Sequence, residues 1–330
     1  MSHTKYGVVA VGNALVDVLA QVSDEFITEQ SAKYGMEKGA MTLIEETRAV
    51  ELYSQMPEGT ETSGGSAANT MAGYASFGGN GAFIGKVADD ELGKVFQNDI
   101  RSLGVNYETQ PLILGAKTGR CMICVTEDAD RTMNTFLGAS VELAPDDVNA
   151  ELIASSMVTY LEGYLFDRET AKKAFITAAE LAHEAGHRIS LTLSDPFCVD
   201  RHRDDFRNLV ENHVDILFAN EDEIKSLYQT DSFDDAITAL GSNVEIAAIT
   251  RSEKGAVIIS KGEQIKVDAV AVEKVIDTTG AGDQFAAGFL YGFTQGKPLA
   301  ECGKLGAIAA AEVISHIGPR PHVKLAELAA

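Results

Sequence analysis

Val275-Ile276-Asp277-Thr278-Thr279-Gly280-Ala281-Gly282-Asp283-Gln284-Phe285 carries a β-type segment into a run of tiny residues and then into a helix. From Asp283 onward Phe285, Phe289, Leu290 and Phe293 recur at helical spacing, which predicts a helix starting near Gly282 with its first backbone N–H groups unpaired. Gly280, Ala281 and Gly282 have almost no side chain, so an anion can approach those N–H groups closely, favoured by the positive end of the helix dipole. The stretch reads as a phosphate site. Asp283 has a plain capping role in that first turn, yet beside a phosphate it repels unless a substrate hydroxyl or a metal lies between them. It is therefore the candidate acceptor of the proton of a hydroxyl attacking the terminal phosphoryl of a nucleotide, with the loop N–H groups stabilising the transferring group.

The remainder of the chain narrows the setting. Its 330 residues, 45% of them hydrophobic, are enough for one large α/β domain or two smaller ones. A net charge of −22 with no basic run argues against a nucleic-acid partner. No segment approaches the roughly 20 apolar residues of a membrane span, and Met1 to Tyr6 shows no hydrophobic signal region, so a cytoplasmic location is expected. Cys121, Cys124, Cys198 and Cys302 offer no disulfide framework. The Cys121/Cys124 pair sits in a strand-like run, where residues three apart face opposite ways and cannot share a metal.

Tyr6-Gly7-Val8-Val9-Ala10-Val11-Gly12 reads as a buried parallel strand, and Asn13 and Asp17 just beyond it lie where open α/β sheets bind ligands; the plain alternative is an Asx turn. Residues 17–44 lack a long amphipathic helix and end strand-like, and 111–137 are strand-rich with turn signals at Gly115, Gly119 and 127–130, so a small sheet standing outside the main one is expected. Ser63-Gly64-Gly65-Ser66-Ala67-Ala68-Asn69-Thr70 opens a helix over 68–77 whose small residues permit close packing on a ligand or strand. Gly85-Lys86-Val87 lacks the spacing of a P-loop.

Between 157 and 218 strands and helices alternate, which implies a parallel sheet covered by helices. His183-Glu184-Ala185-Gly186-His187 matches the HExxH zinc-protease pattern, but Gly186 reads as a helix stop and 188–193 as the next strand, so His187 leaves the face of His183. Asn220 with Glu223 three residues later forms a capping box at the next helix. The alanine-rich pattern over 299–317 is a final helix ending at Gly318-Pro319.

The stretch 277–283 matches without a gap the D-T-x-G-A-G-D signature of the ribokinase family, the PfkB carbohydrate and nucleoside kinases, and the resemblance extends over essentially the whole chain. Gly12-Asn13-Ala14-Leu15-Val16-Asp17 matches the family's G-N-x-x-x-D opening, and Gly64, Gly65 and Asn69 its G-G-x-x-x-N. Asn220 and Glu223 match its N-x-x-E; Thr250 and Gly255 match its T-x-G-x-x-G, although Ser252 replaces the middle glycine. The resemblance implies a ribokinase-like α/β/α sandwich with a mainly parallel central sheet and a small β-sheet lid that excludes water, the core being 1–14, 45–109 and 138–330 and the lid 15–44 and 110–137.

It also implies roles. Asp283 would be the general base, Gly280, Ala281 and Gly282 the anion hole, and Asp17 the grip on sugar hydroxyls, with Asn13, Gly64, Gly65 and Asn69 beside it. Thr250, Gly255, Thr279 and Asn220 would meet ATP, Glu223 would organise Mg2+ through water, and Asp277 with Thr279 would help hold a monovalent cation, K+. Within the family the chain is most similar to adenosine kinases, through Gly12 to Asp17, Gly64-Gly65-Ser66, Arg131-Thr132-Met133-Asn134 and Glu162-Gly163-Tyr164-Leu165. Arg131 and Tyr164 would then contact the substrate, Tyr164 walling a purine where Leu165 replaces a second aromatic. The expected reaction is transfer of the ATP γ-phosphoryl group to the 5′-hydroxyl of an adenosine-like nucleoside, by a monomer or homodimer. A PfkB-type kinase of a free furanose or hexose is the alternative, and a non-catalytic ligand-binding protein on the same fold the remote one.

Overall fold

A strand covered on both faces of a parallel sheet needs an unbroken apolar run, and Tyr6–Val11 supplies it inside the larger sheet, third from one edge. A computed structural model describes residues 4–128 and 130–329; Ala129 of the 127–130 turn signal and residues 1–3 of the N-terminal stretch lie outside the described residues. The strands in chain order are β1 (Tyr6–Val11), β2 (Leu15–Gln21), β3 (Met41–Leu43), β4 (Thr60–Gly64), β5 (Gly81–Ile84), β6 (Asn106–Tyr107), β7 (Gly119–Val125), β8 (Arg131–Phe136), β9 (Ser156–Glu162), β10 (Arg188–Thr192), β11 (Ile216–Asn220), β12 (Ile246–Thr250), β13 (Ala256–Ser260) and β14 (Glu263–Val267).

Among the described residues nine strands form the larger sheet in the order β14-β13-β12-β11-β10-β9-β1-β5-β6, parallel from β12 to β6 and antiparallel across β12, β13 and β14. Successive residues feed opposite faces. Val9, Val11, Leu161 and Leu217 pack with Phe175 and Phe206 of the helices Glu169–Glu184 and Arg203–Asn212. Val8, Ala10, Tyr160 and Phe218 pack with Met71 and Phe289 of the helices Ser66–Ser76 and Ala281–Thr294. The result is the expected α/β/α sandwich.

The second sheet runs β3-β8-β7-β2-β4. β7 gives Met122 and Cys124 to one face, against Ile27 and Leu52 of the helices Asp24–Tyr34 and Glu46–Gln55, and Cys121, Ile123 and Val125 to the other. The two cysteines thus face apart, as the two-residue period requires, and both are buried in packing.

Four local expectations change. Residues 15–44 are not purely β-rich: the helix Asp24–Tyr34 intervenes, capped by Ser23 Oγ, which accepts from Phe26 N at 3.2 Å, and stopped by Gly35 at φ 70°. It buries only Ile27 and Gln30, so its apolar period was too weak to read. β4 belongs to the small sheet although it lies within 45–109. The β-type stretch before Gly280 pairs with no strand; Ile276 N donates to Ile314 O at 2.8 Å, and Val275 and Ile276 stay exposed. The last long helix is Leu299–Val313, shorter than 299–317, because 314–320 turns back towards the glycine loop, with Gly318 at φ 109°.

The two decoys dissolve as expected. Gly186, at φ 77°, follows the end of the helix Glu169–Glu184; His183 Nε2 lies 3.0 Å from Asp215 Oδ2, while His187 Nε2 lies 3.0 Å from Ala154 O. Lys86 is held by Asp147 at 2.6 Å.

Candidate active site

Asn13 follows β1, Glu162 ends β9, Ser194 follows β10, and Asn220 and Thr250 end β11 and β12 as direct neighbours in register. All lie at the carboxyl edge of the parallel strands, where loops leave a crevice for ligands.

The glycine loop forms the floor. Gly280, at φ 79°, is the N-cap of the helix Ala281–Thr294, and a Cβ there would come within 2.7 Å of Pro319, so both backbone and space demand glycine. Ala281 N is already spent on Thr278 O at 3.2 Å. Among the described residues no protein acceptor takes the N–H of Gly282 or Asp283, and nothing lies within 4 Å of where a Gly282 Cβ would stand. The Gly280 N–H likewise has no protein acceptor among the described residues, so the open N–H groups of the loop are those of Gly280, Gly282 and Asp283, with only Ala281 spent.

Asp283, partly exposed, accepts from Ser66 Oγ at 2.6 Å through Oδ1. Burial pushes its carboxyl up to about 6 and the Asp17 carboxylate pushes the same way, while hydrogen bonds from Ser66 and Asn69 pull it back. Asp17 on β2 is likewise raised by burial to about 6, opposed by Arg320 and Arg131. A side chain on Gly64 would overlap the Asp17 carboxylate, so β4 approaches β2 closely only because that residue is glycine. Gly65 is the N-cap of the helix Ser66–Ser76, at φ 99°.

Arg320 ties this end together. Its Nη1 lies 2.9 Å from Asp99 Oδ2, its Nε donates to Asn69 Oδ1 at 3.1 Å, and Nη2 donates to the carbonyl and hydroxyl of Ser63. Buried Gln284 donates to Asn69 O and to Pro319 O, each at 2.9 Å.

At the other end, Arg131 and Asp277 meet, Nη1 to Oδ2 at 2.7 Å, with both side chains 8% exposed. Asp277 also accepts from Thr279 N at 3.0 Å and Gly318 N at 2.8 Å. Oδ2 thus lies between Arg131 and Gly318, while Oδ1 accepts from Thr279 N alone and keeps acceptor capacity for a cation. Arg131 Nε and Nη2, buried beside the glycine loop, have no hydrogen-bond partner among the described residues.

Glu223 is buried; its carboxylate accepts from Asn220 N at 2.9 Å and Asn220 Nδ2 at 2.6 Å, the expected capping box. Burial raises it to about 7, with Asp195, Asp222 and Asp283 pushing the same way. Tyr164 donates its N–H to Ser194 Oγ at 3.1 Å and its hydroxyl to Ser194 O at 3.3 Å; burial and the Asp195 carboxylate hold its phenol well above the usual range. Leu165, its neighbour, is fully buried in the core rather than facing a ligand.

The sequence profile described as pfkB family carbohydrate kinase matches residues 32–324. The chain belongs to that family. Among solved structures, a probable sugar kinase from Rhizobium etli CFN 42 superposes with a TM-score of 0.90 and 50% identity over 99% of this chain and 98% of its own. The adenosine kinase from Sinorhizobium meliloti gives 0.89 and 51% over 98% of each. The adenosine kinase of Saccharomyces cerevisiae is 29% identical over 94% of this chain and 95% of its own. This pfkB kinase is accordingly a phosphotransferase with a hydroxyl acceptor on a sugar or nucleoside.

Some residues sit differently from the sequence expectation, and others were given no role by it. Asn13, expected at the substrate, is 1% exposed and gives its amide to Glu162 Oε1 at 2.7 Å while accepting from Ser140 Oγ at 2.9 Å. Arg320 and Gln284 carried no local signal beyond their chemistry, and Ser66 and Glu162 stood in stretches quoted for the resemblance without a role of their own. Thr250 Oγ1 reaches Ala219 O at 3.5 Å, and Gly255, at φ 80°, could not bear a side chain without overlapping Val267 O. Ser252, standing where the pfkB pattern has glycine, adopts φ 52°. That left-handed backbone costs a non-glycine residue about 1 kcal/mol. Part of the relief is cancelled by the freer unfolded chain of glycine. Ser252→Gly is therefore expected to stabilise by about 0.5 kcal/mol, read as a small rise in melting temperature; a fall would mean that the Ser252 side chain supports the turn.

Proposed function

We propose that this pfkB kinase transfers the γ-phosphoryl group of ATP to the 5′-hydroxyl of adenosine or a close nucleoside. The observation that carries the reading is Asp283, a partly exposed carboxylate at the open end of a glycine loop with the charged Asp17 beside it. In this reading Asp17 holds the ribose hydroxyls, Asp283 takes the proton of the 5′-hydroxyl, and the new O–P bond forms as the β,γ-bridging O–P bond breaks, releasing ADP. The Gly282 and Asp283 N–H groups and the guanidinium of Arg131 face the charge of the transferring group. Gly280, Thr250, Gly255 and Thr279 border the nucleotide.

Mg2+ fits the acidic group around Glu223, whose carboxyl is pushed up first by burial and then by the neighbouring Asp195, Asp222 and Asp283. Among the described residues no three such side chains converge on one point, so Glu223 would hold the ion through its water shell. When bound, Mg2+ neutralises phosphate charge.

Two features support a nucleoside over a free sugar. Tyr164 is fixed beside Ser194, and Phe197 on the helix Pro196–Arg201 leaves its ring 77% exposed while Cys198 and Val199 next to it are buried. In this reading Phe197, three residues beyond Ser194, is the candidate for the second aromatic that position 165 lacks. The near end-to-end match to the two adenosine kinases points the same way, and the equally close sugar-kinase structure keeps a furanose or hexose as the second reading.

ADP release measured across adenosine, inosine, guanosine, cytidine, ribose, fructose and 2-keto-3-deoxygluconate tests the acceptor. Adenosine is expected to give the highest kcat/KM. A free sugar exceeding every nucleoside would remove the nucleoside assignment and leave the family assignment standing.

A further inference from the structure

The helix Ser66–Ser76 starts at glycine and has no side-chain cap of its own. Its Ala67 N–H is taken instead by Glu162 Oε2 at 2.8 Å, from the end of β9, while Glu162 Oε1 is held by Asn13 Nδ2 at 2.7 Å. A side chain on Gly12 would overlap both the Glu162 carboxylate and Ala67, so the strand end is built to admit this contact. One residue before Ala67, the Ser66 hydroxyl donates to Oδ1 of Asp283.

We propose that Glu162 is a positioning residue for the general base: by fixing the first turn of the helix Ser66–Ser76 it keeps the Ser66 hydroxyl on Oδ1 of Asp283, which leaves Oδ2 to receive the acceptor proton. This rests on reading Asp283 as the base. A carboxylate with one oxygen occupied cannot rotate freely, so its second oxygen is presented in one orientation. The hydrogen bond also favours the ionised form, the only form that accepts a proton. The other groups bearing on Asp283 are Asn69 and Asp17, with Glu162, Glu223 and the Tyr160 and Tyr164 phenols further off. In the step itself the proton passes to Oδ2, the acceptor oxygen bonds to phosphorus, and ADP leaves with the electron pair of the broken bond.

The test combines Ser66→Ala, Ser66→Thr, Glu162→Ala, Glu162→Gln and the double variant Ser66→Ala/Glu162→Ala, assayed by ADP release with the best acceptor of the panel and checked for folding by circular dichroism. Ser66→Ala is expected to lose about 10-fold to 100-fold in kcat with the KM for ATP unchanged. Its acid limb of kcat/KM should move to higher pH, because a hydrogen bond to the ionised carboxylate is gone. Ser66→Thr restores activity. Glu162→Gln keeps most of the activity, its carbonyl still accepting from Ala67 while the Asn13 amide turns over to accept from the new NH2 and to donate to Ser140 Oγ, which donates on to Leu137 O. Glu162→Ala shows a loss similar to that of Ser66→Ala, and the double variant is no worse than either single one.

A Ser66→Ala enzyme with wild-type kcat and an unmoved acid limb overturns the inference, as do losses that multiply in the double variant. Should Glu162→Ala not fold, the Ser66 variants and Glu162→Gln decide alone, and equal damage by Gln counts against the inference. Asp283→Asn separates the levels: full activity there removes the base itself, whereas an inactive Asp283→Asn beside a wild-type-like Ser66→Ala removes only the positioning role.

Discussion

Asp283→Asn is expected to fold like the parent and to lose phosphoryl transfer by about 10² to 10⁴-fold in kcat, the range that a positioned general base contributes. The amide can keep accepting from Ser66 but cannot take a proton from the acceptor hydroxyl. Since the parent carboxyl sits near 6 and must be ionised to act, parent activity should fall as pH drops below about 6, and that acid limb should vanish from whatever activity the variant retains. ADP release across pH, with melting curves as the folding control, reads both. Turnover within a few-fold of the parent would take Asp283 out of the chemistry.

Asp17→Ala carries the second large effect, and on the other substrate. Two charge-assisted hydrogen bonds to neighbouring hydroxyls are worth about 1.5–3 kcal/mol each, so the acceptor KM should rise by roughly 10² to 10⁴-fold while that for ATP barely moves. The fold should tolerate the change, because Asp17 is crowded by the bare backbone of Gly64 and opposed at a distance by Arg320 and Arg131 rather than bound into the core. Equal rises in both KM values would contradict its placement at the acceptor.

What could be read in advance divides by distance along the chain. The glycine loop, the helix it opens and the Asn220 capping box are local, and spacing alone exposed them. Gly186 disarmed the HExxH pattern because a left-handed helix stop is also local. The contacts that complete the site are not. Ser66 and Asp283 are 217 residues apart, Asn13 and Glu162 149, and Arg320 and Ser63 257, so no window of sequence contains both partners. Glu162 closes an otherwise ordinary apolar strand, where a glutamate reads as the polar residue that ends it. Arg131 and Asp277 were each assigned to ligands separately; that they pair with one another follows from β8 of the small sheet reaching the glycine loop.

The turn over 314–320 touches both halves of the reaction. Gly318 N and Pro319 brace Asp277, Gly280 and Gln284 beneath the phosphate loop, and one residue later Arg320 grips Asn69 and Ser63 at the acceptor end. On the proposed reading donor and acceptor would bind to opposite ends of one short tether, and whichever arrived first would still it for the other. Thermodynamic linkage then makes the effect reciprocal: the factor by which the acceptor tightens a non-hydrolysable nucleotide must equal the factor by which that nucleotide tightens the acceptor. Calorimetric titrations run in both orders measure it, and affinities indifferent to the partner would show that the tether transmits nothing.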